Sequence, residues 1–181
     1  AYDAFFKSAW NAAWQDAAYY ALAQLDTRKG KYESALDKID RSLIRNWHNH
    51  KARQLKTSIL RKLGRKEEAL ALVAESLQID RFNMGCRFEH YLLTRDVEVL
   101  EEMKKLMRGW AHGYIEYALD FAAAGLYEEA FSLLECYVIG VTEVYPVVYY
   151  TMGYFHTCKG DESKALEYYQ RAEKENHSYC F

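Results

Sequence analysis

The sequence predicts an all-α fold: a right-handed superhelix (an α-solenoid) of antiparallel helix pairs, about 11 helices in all. Three observations predict it. A short phrase recurs four times, as GKYESALDKI from Gly30, GRKEEALALV from Gly64, GLYEEAFSLL from Gly125 and GDESKALEYY from Gly160. Its marker alanines, Ala35, Ala69, Ala130 and Ala165, fall at steps of 34, 61 and 35 residues. One proline and nine glycines among 181 residues leave few places to break a helix.

Each part of the phrase has a physical task. Glycine ends a first helix in the left-handed conformation. The alanine marks where the second helix crosses closest to the first. Ile39, Val73, Leu134 and Tyr169 then fill the groove one turn later. The same face runs back into the first helices as Tyr19, Leu22 and Ala23, as Tyr114, Tyr117, Ala118 and Phe121, and as Tyr149, Met152 and Gly153.

Taken in order, residues 1–13 match the second helix of a repeat, with Phe5 standing where Ile39 and Val73 stand. The chain is therefore expected to be cut from a longer protein, with an N-terminal capping helix as the alternative. Helix pairs follow at 16–46 and 50–78, where Arg53 replaces the aromatic residue. A degenerate pair at 83–108 turns at Thr94-Arg95-Asp96, and full pairs return at 111–139 and 146–175. All of 1–181 is read as one domain.

The pattern aromatic-x-x-apolar-small, Gly, Ala, apolar resembles the tetratricopeptide repeat family and covers most of the chain. The opening AYDAFFKSAWNAAWQDAAYYALAQLDTRKGKYESAL with NHKARQLKTSILRKLGR also looks like repeats of large bacterial multidomain proteins. Those proteins carry an uncharacterised β-rich upstream domain, and resemblance to them implies no established activity. The tetratricopeptide resemblance implies a protein-interaction or scaffolding module and is close to silent on a ligand.

Charge is uneven. Residues 28–66 carry 13 Lys and Arg against three Asp and Glu, while the whole chain sums to -2. A positive surface with a preference for anionic partners is expected. In a solenoid, first helices line the concave surface. The candidate ligand groove is Tyr20, Gln24 and Arg28, then Lys51, Gln54, Ser58, Arg61 and Lys62, then Tyr150 and Tyr154 in a more apolar stretch with His112, Ile115 and Leu119. Arginine there can grip a carboxylate bidentately. Some tetratricopeptide domains hold a peptide's terminal carboxylate, but Gln24 and Ser58 replace the asparagines used for that.

Catalytic constellations are sparse, and the segment is expected not to be an enzyme. His48-x-His50 sits beside Lys51 and Arg53, whose charge opposes a metal cation. Glu67-Glu68, Glu101-Glu102 and Glu128-Glu129 lie near second-helix starts, where they suit the helix dipole. No phosphate loop, Gly-x-Ser-x-Gly or His-Glu-x-x-His occurs. No cofactor or metal is implied. Cys86, Cys136, Cys158 and Cys180 are expected to be small buried hydrophobes in a reducing compartment, and a cytoplasmic location is expected. No apolar run approaches about 20 residues, so no membrane span is encoded.

The expected partner is a protein or peptide, acidic or ending in a carboxylate, or an upstream domain of the same chain. The exposed ends offer a route to dimers. Two alternatives stand behind it. One is a polyanion or nucleic-acid binder using 28–66, disfavoured by the overall acidity. The other is a carbohydrate-linked accessory region using Trp10 and Trp14, which are spaced to share one helix face and which the packing of a missing helix explains as well.

Overall fold

The structure, a computed structural model, describes residues 1–175 and is all-α over them. Its elements are α1 (Tyr2–Ser8), a 3-10 turn (Ala12–Trp14), α2 (Gln15–Arg28), α3 (Tyr32–Arg45), α4 (His50–Lys62), α5 (Lys66–Ile79), α6 (Met84–Thr94), α7 (Val97–Met107), α8 (Ala111–Ala123), α9 (Tyr127–Gly140), α10 (Pro146–Lys159) and α11 (Glu162–Glu175). They form two compact units. Unit 1 is Ala1–Leu106 with Ala123–Leu126, and unit 2 is Met107–Ala122 with the described residues from Tyr127 onward.

Gly30, Gly64, Gly125 and Gly160 all have φ between 71° and 78°, the left-handed conformation that closes a first helix. Gly125 is doubly constrained, because a Cβ there would lie 3.0 Å from the Cα of Arg28. In the degenerate pair Arg95 takes the glycine's place at φ 58°. The marker alanines are buried to within 3% exposure, and Ile39, Val73 and Leu134 are buried beside them. In the last pair Gly153 stands where Ala23 stands in the first, and the larger Tyr169 stands where Ile39 stands. The tyrosine ring rests on the glycine, 2.7 Å from where a Cβ would be. Small and large residues have exchanged volume across one contact.

Arg53, at an aromatic position, is fully buried. Its Nε donates to Ser76 Oγ at 2.8 Å, Nη2 to Glu75 Oε1 at 2.7 Å and Nη1 to the Trp47 carbonyl at 3.3 Å. The indole of Trp47 covers the guanidinium at 4.5 Å. One period on, Arg87 repeats the device. It donates from Nε to the Arg81 carbonyl at 2.8 Å and pairs with Glu102 at 3.1 Å. Each arginine ties the incoming loop to its second helix with charge-assisted bonds. Asn49 and Asn83, also one period apart, cap α4 and α6 by accepting from the amides of Ala52 and Cys86 at 3.0 Å.

The opening departs from the expected helix over 1–13. The helix α1 ends at Ser8, because Asn11 accepts from the Ala13 amide and starts a separate 3-10 turn. Trp10 and Trp14 therefore share no helix face, and they are 75% and 63% exposed. Glu67, Glu68, Glu128 and Glu129 lie in first turns, whereas Glu101 and Glu102 lie in the second turn of α7, where Glu102 serves Arg87. Cys86 is buried, Cys136 half-buried and Cys158 exposed, so the expectation of buried thiols fails at Cys158. Its place on α10 faces away from the packed side. Cys180 and His177 lie outside the described residues.

Candidate functional site

The basic block is partly neutralised by folding. Lys38, Arg41, Arg53, Lys56, Arg61 and Arg65 reach Asp26, Asp37, Glu75, Asp40, Glu89 and Glu68, all within 3.0 Å. Asp26, Glu68, Glu75 and Glu89 come from outside residues 28–66, so a count along the chain overstates the positive surface. The Asp26–Lys38 and Arg61–Glu89 pairs are the most enclosed of the six. Burial works against both charges, but the mutual hydrogen bond, with Ser34 donating to Asp26 at 2.7 Å, outweighs it. The Asp26 carboxyl is held below its ordinary value and the Lys38 ammonium above its own.

In unit 1 the candidate groove residues separate into two groups. Gln54 and Ser58 on α4 are enclosed at 3% and 1% exposure, as are Phe88 and Glu89 on α6. Gln54 lies over Gly85, where any Cβ would overlap its side chain. Ser58 Oγ donates to Glu89 Oε1 at 2.6 Å, and Arg61 grips the same carboxylate from Nε at 2.7 Å and Nη2 at 3.1 Å. These side chains form a buried polar seam between two first helices. Glu89, the acceptor of that seam, was invisible to sequence reasoning because its two partners lie a full period upstream.

The other group is more accessible. Lys51 and Lys62 are exposed at the two ends of α4. Tyr20 and Gln24 are half-buried, with the Gln24 amide donating to the Tyr20 hydroxyl at 3.1 Å. Arg28 is exposed, and its Nη2 donates to the Ala123 carbonyl at 2.8 Å. His50 stands 3.8 Å from Asp80.

The aromatic opening forms a small pocket of its own, about 230 Å³, in which Tyr2, Phe6, Trp10 and Tyr19 meet Lys38 and Arg41. The Trp10 ring meets Phe6 edge-on at 6.4 Å, while Trp14 is not among the lining residues.

Unit 2 presents a different first-helix face. Leu119 on α8 and Tyr154 on α10 occupy equivalent places 35 residues apart and are 38% and 54% exposed. Ile115 is buried and His112 exposed on the same helix, and Tyr150 is half-buried with its ring 6.1 Å from that of Tyr169. His112 also links the rings of Trp110 and Tyr145, at 6.3 and 5.2 Å.

On its second-helix side unit 2 has a cleft of about 500 Å³ between α9 and α11, with His156 and Lys159 of α10 among its lining residues. His156 is buried, with Phe131 on one side at 4.4 Å and Tyr168 stacked at 5.4 Å. Its Nδ1 has no hydrogen-bond partner and lies 3.6 Å from Asp161 Oδ2. Burial pushes its pKa down, Asp161 and Glu128 oppose this, and Lys164 and Lys159 reinforce it. The sequence offers no signal for this site, because His156 is one of six histidines and belongs to no motif.

Among the described residues no helix is long and apolar enough to cross a membrane, and no group of three His, Cys, Asp or Glu is placed to hold a metal ion. No protein-family model matches the chain, and no curated protein matches it. Solved structures do. YrrB, described as a tetratricopeptide-repeat protein with an unusual peptide-binding site, is 18% identical over 99% of this chain and 95% of its own, with a TM-score of 0.52. A thermophilic tetratricopeptide-repeat protein of Thermus thermophilus is 18% identical over 90% of this chain and 92% of its own, at 0.50. A tetratricopeptide-repeat protein from Parabacteroides merdae is 18% identical over 90% of this chain and 66% of its own, at 0.51. At such identity the likeness is one of architecture, and the fold of this chain is that of a tetratricopeptide-repeat array.

Proposed function

We propose that this chain is a non-catalytic protein-interaction scaffold that holds an extended segment of a partner across the first helices of unit 2. The observation that carries the reading is the pair Leu119 and Tyr154. Two large apolar side chains at equivalent places on successive first helices stay exposed, while the same place in unit 1 holds polar side chains, Gln24 half-buried and Ser58 sealed. Tyr150 and His112 extend that strip with one hydroxyl and one imidazole for orientation. YrrB's described peptide-binding site is a precedent for this architecture, not evidence about these residues. In unit 1, Lys51 and Lys62 offer a separate basic contact, with Tyr20, Gln24 and Arg28 nearby on the preceding first helix. Gln54, Ser58 and Arg61 support that surface from within.

Selection of displayed random peptides on the intact chain tests the reading. Burying Leu119 and Tyr154 against a partner is worth about 1–2 kcal/mol each, so Leu119→Lys with Tyr154→Lys should weaken selected peptides by tenfold or more. Selected peptides should share apolar residues at alternate positions. Peptides that bind the double variant as well as the parent chain would place the contact elsewhere.

A further inference from the structure

The opening of the chain leaves an aromatic pocket that unit 1 does not fill. The helix α1 buries none of its side chains, and Phe6 is half exposed. Phe5 also stays exposed, where its counterparts Ile39 and Val73 are sealed in later repeats. The opening is held at Tyr2, whose ring carries the ammoniums of Lys29 and Lys38 at 5.3 and 5.8 Å, and at Ala9, which is buried. Between these two points lies the pocket of about 230 Å³, walled by Phe6, Trp10 and Tyr19 with Leu22 beneath.

Size and charge select what can enter. An apolar cavity of about 150 Å³ takes one benzene ring, whereas drug-sized ligands need about 300 Å³ or more. The pocket therefore has room for one ring and not for a nucleotide. Its charged groups are already matched, Lys38 with Asp26 at 2.6 Å and Arg41 with Asp37 at 3.0 Å, so a charge on the entering group gains nothing. A π face does gain. The Arg41 guanidinium lies 5.7 Å from the Tyr19 ring and is more than half exposed, which leaves it open to a second ring. Asp37 is as exposed as Arg41. Its carboxylate can accept from a peptide amide while the guanidinium donates to a peptide carbonyl.

We propose that this pocket takes one aromatic side chain, the phenyl or indole of a protein partner. The ring enters between Trp10 and Tyr19 with Arg41 against it, and the backbone that carries it crosses Asp37. That the ring belongs to a protein rests on the protein-binding reading. Its place does not, because the pocket lies wholly in unit 1.

Amide NMR spectra of the intact chain would be followed during titration with N-acetyl-phenylalanine amide. N-acetyl-cyclohexylalanine amide copies its shape without a π face, and benzyl alcohol copies its ring without a backbone. Saturable shifts at Ala9, Leu22, Lys38 and Arg41 are expected for the phenylalanine probe, with Kd on the order of 1–10 mM. The cyclohexyl probe should bind about two- to fivefold more weakly, and benzyl alcohol at least about threefold more weakly. Arg41→Gln should bring the phenyl and cyclohexyl probes within about twofold of each other. Ala9→Met fills the pocket from its buried side and should abolish the shifts. Trp10→Ala removes an exposed wall without touching the core and should raise Kd about threefold or more, a test that stands even where methionine displaces α1. Leu119→Lys with Tyr154→Lys should leave the titration unaltered, whatever it does to selected peptides, so the two readings fail separately. No saturable shift by about 50 mM, equal binding of the cyclohexyl probe or of benzyl alcohol, or indifference to Trp10→Ala would overturn the assignment. So would a dimer in sedimentation velocity that Ala9→Met dissolves, which would give the pocket to a second copy of the chain.

Discussion

The exchange of volume between Gly153 and Tyr169 makes a sharp prediction about how the repeat tolerates change. In Gly153→Ala the new Cβ would stand 2.7 Å from Tyr169 Cδ1, against about 3.5–4.0 Å for relaxed carbon contact. The ring must retreat by roughly 1 Å, straining its contact with Tyr150 and its hydroxyl's 3.1 Å hydrogen bond with Thr157. Overpacking of this kind costs about 1–3 kcal/mol, and the better helix propensity of alanine returns about 1. The single variant should therefore lose up to about 2 kcal/mol. Tyr169→Ile alone leaves a void over the glycine and should lose about 1–3 kcal/mol. Together the two changes rebuild the Ala23–Ile39 pair of the first repeat, so the double variant should be more stable than the sum of the singles by about 1–2 kcal/mol. Repeat arrays need not unfold in one step. The proper assay is native-state hydrogen exchange of the α10 and α11 amides in all four proteins. Additivity within about 0.5 kcal/mol would refute the argument that these residues share one volume.

Three further outcomes follow from the electrostatics and the thiols. Glu89→Gln removes the carboxylate from a seam that holds Ser58 and Arg61, and should cost about 3 kcal/mol in urea denaturation. Replacing Arg61 and Glu89 together by leucine should recover most of that loss, because the desolvation of the pair disappears with its attraction. His156 is disfavoured as a cation by burial, with Lys164 and Lys159 against the charge and Asp161 and Glu128 for it. The native state thus binds its proton less readily than the unfolded chain. The stability His156 contributes is full above the ordinary value of 6.5 and declines as pH falls through the lower native value, and His156→Phe should flatten that decline in a pH series of melting curves. Burial pushes the Cys86 thiol up to about 12, so a disulfide reagent near pH 8 should label exposed Cys158 within the native protein and reach Cys86 only on unfolding.

Much of the fold was legible because the information that specifies it is local. Glycine, alanine and a groove-filler at fixed offsets each act through backbone conformation or a contact within one helix pair, and the observed helices follow the repeat through both units. Legibility ended where a residue's role depends on a neighbour a period away. Arg53 reads as a missing aromatic, yet Ser76, Glu75 and Trp47 make it the buried core of its repeat. The basic block reads as a patch, yet four carboxylates outside it offset part of its charge. Trp10 and Trp14 read as one helix face, yet a single asparagine cap at Asn11 starts a new turn between them. Gln54, Ser58 and Arg61 share the concave register with Lys51 and Lys62, and no property of α4 alone distinguishes the sealed positions from the open ones. That distinction is made by Gly85 and Glu89 on the next first helix.

The sealed seam and the open strip are two uses of the same places in the repeat. Positions equivalent to Gln54 and Ser58 become Ile115 and Leu119, then Tyr150 and Tyr154, as the period advances. Where those places hold short polar side chains, a glycine and a glutamate on the next first helix fit against them, and the helices close on each other. Where they hold Leu119 and Tyr154, apolar surface remains exposed, which a monomer keeps at a cost in solubility unless something covers it. Exchanging the two sets gives a direct consequence. Gln54→Tyr would force a ring onto Gly85 with no space to receive it, and should destabilise unit 1 by about 2 kcal/mol or more. Tyr150→Gln and Tyr154→Ser, on a half-buried and an exposed place, should cost unit 2 less than about 1 kcal/mol apiece while removing its apolar strip. Stability loss confined to unit 1 and binding loss confined to unit 2 would mean that one repeat position has been given a structural task in the first and a recognition task in the second. Comparable destabilisation of both units would mean that the tyrosines are structural too, and that the strip is not where a partner binds.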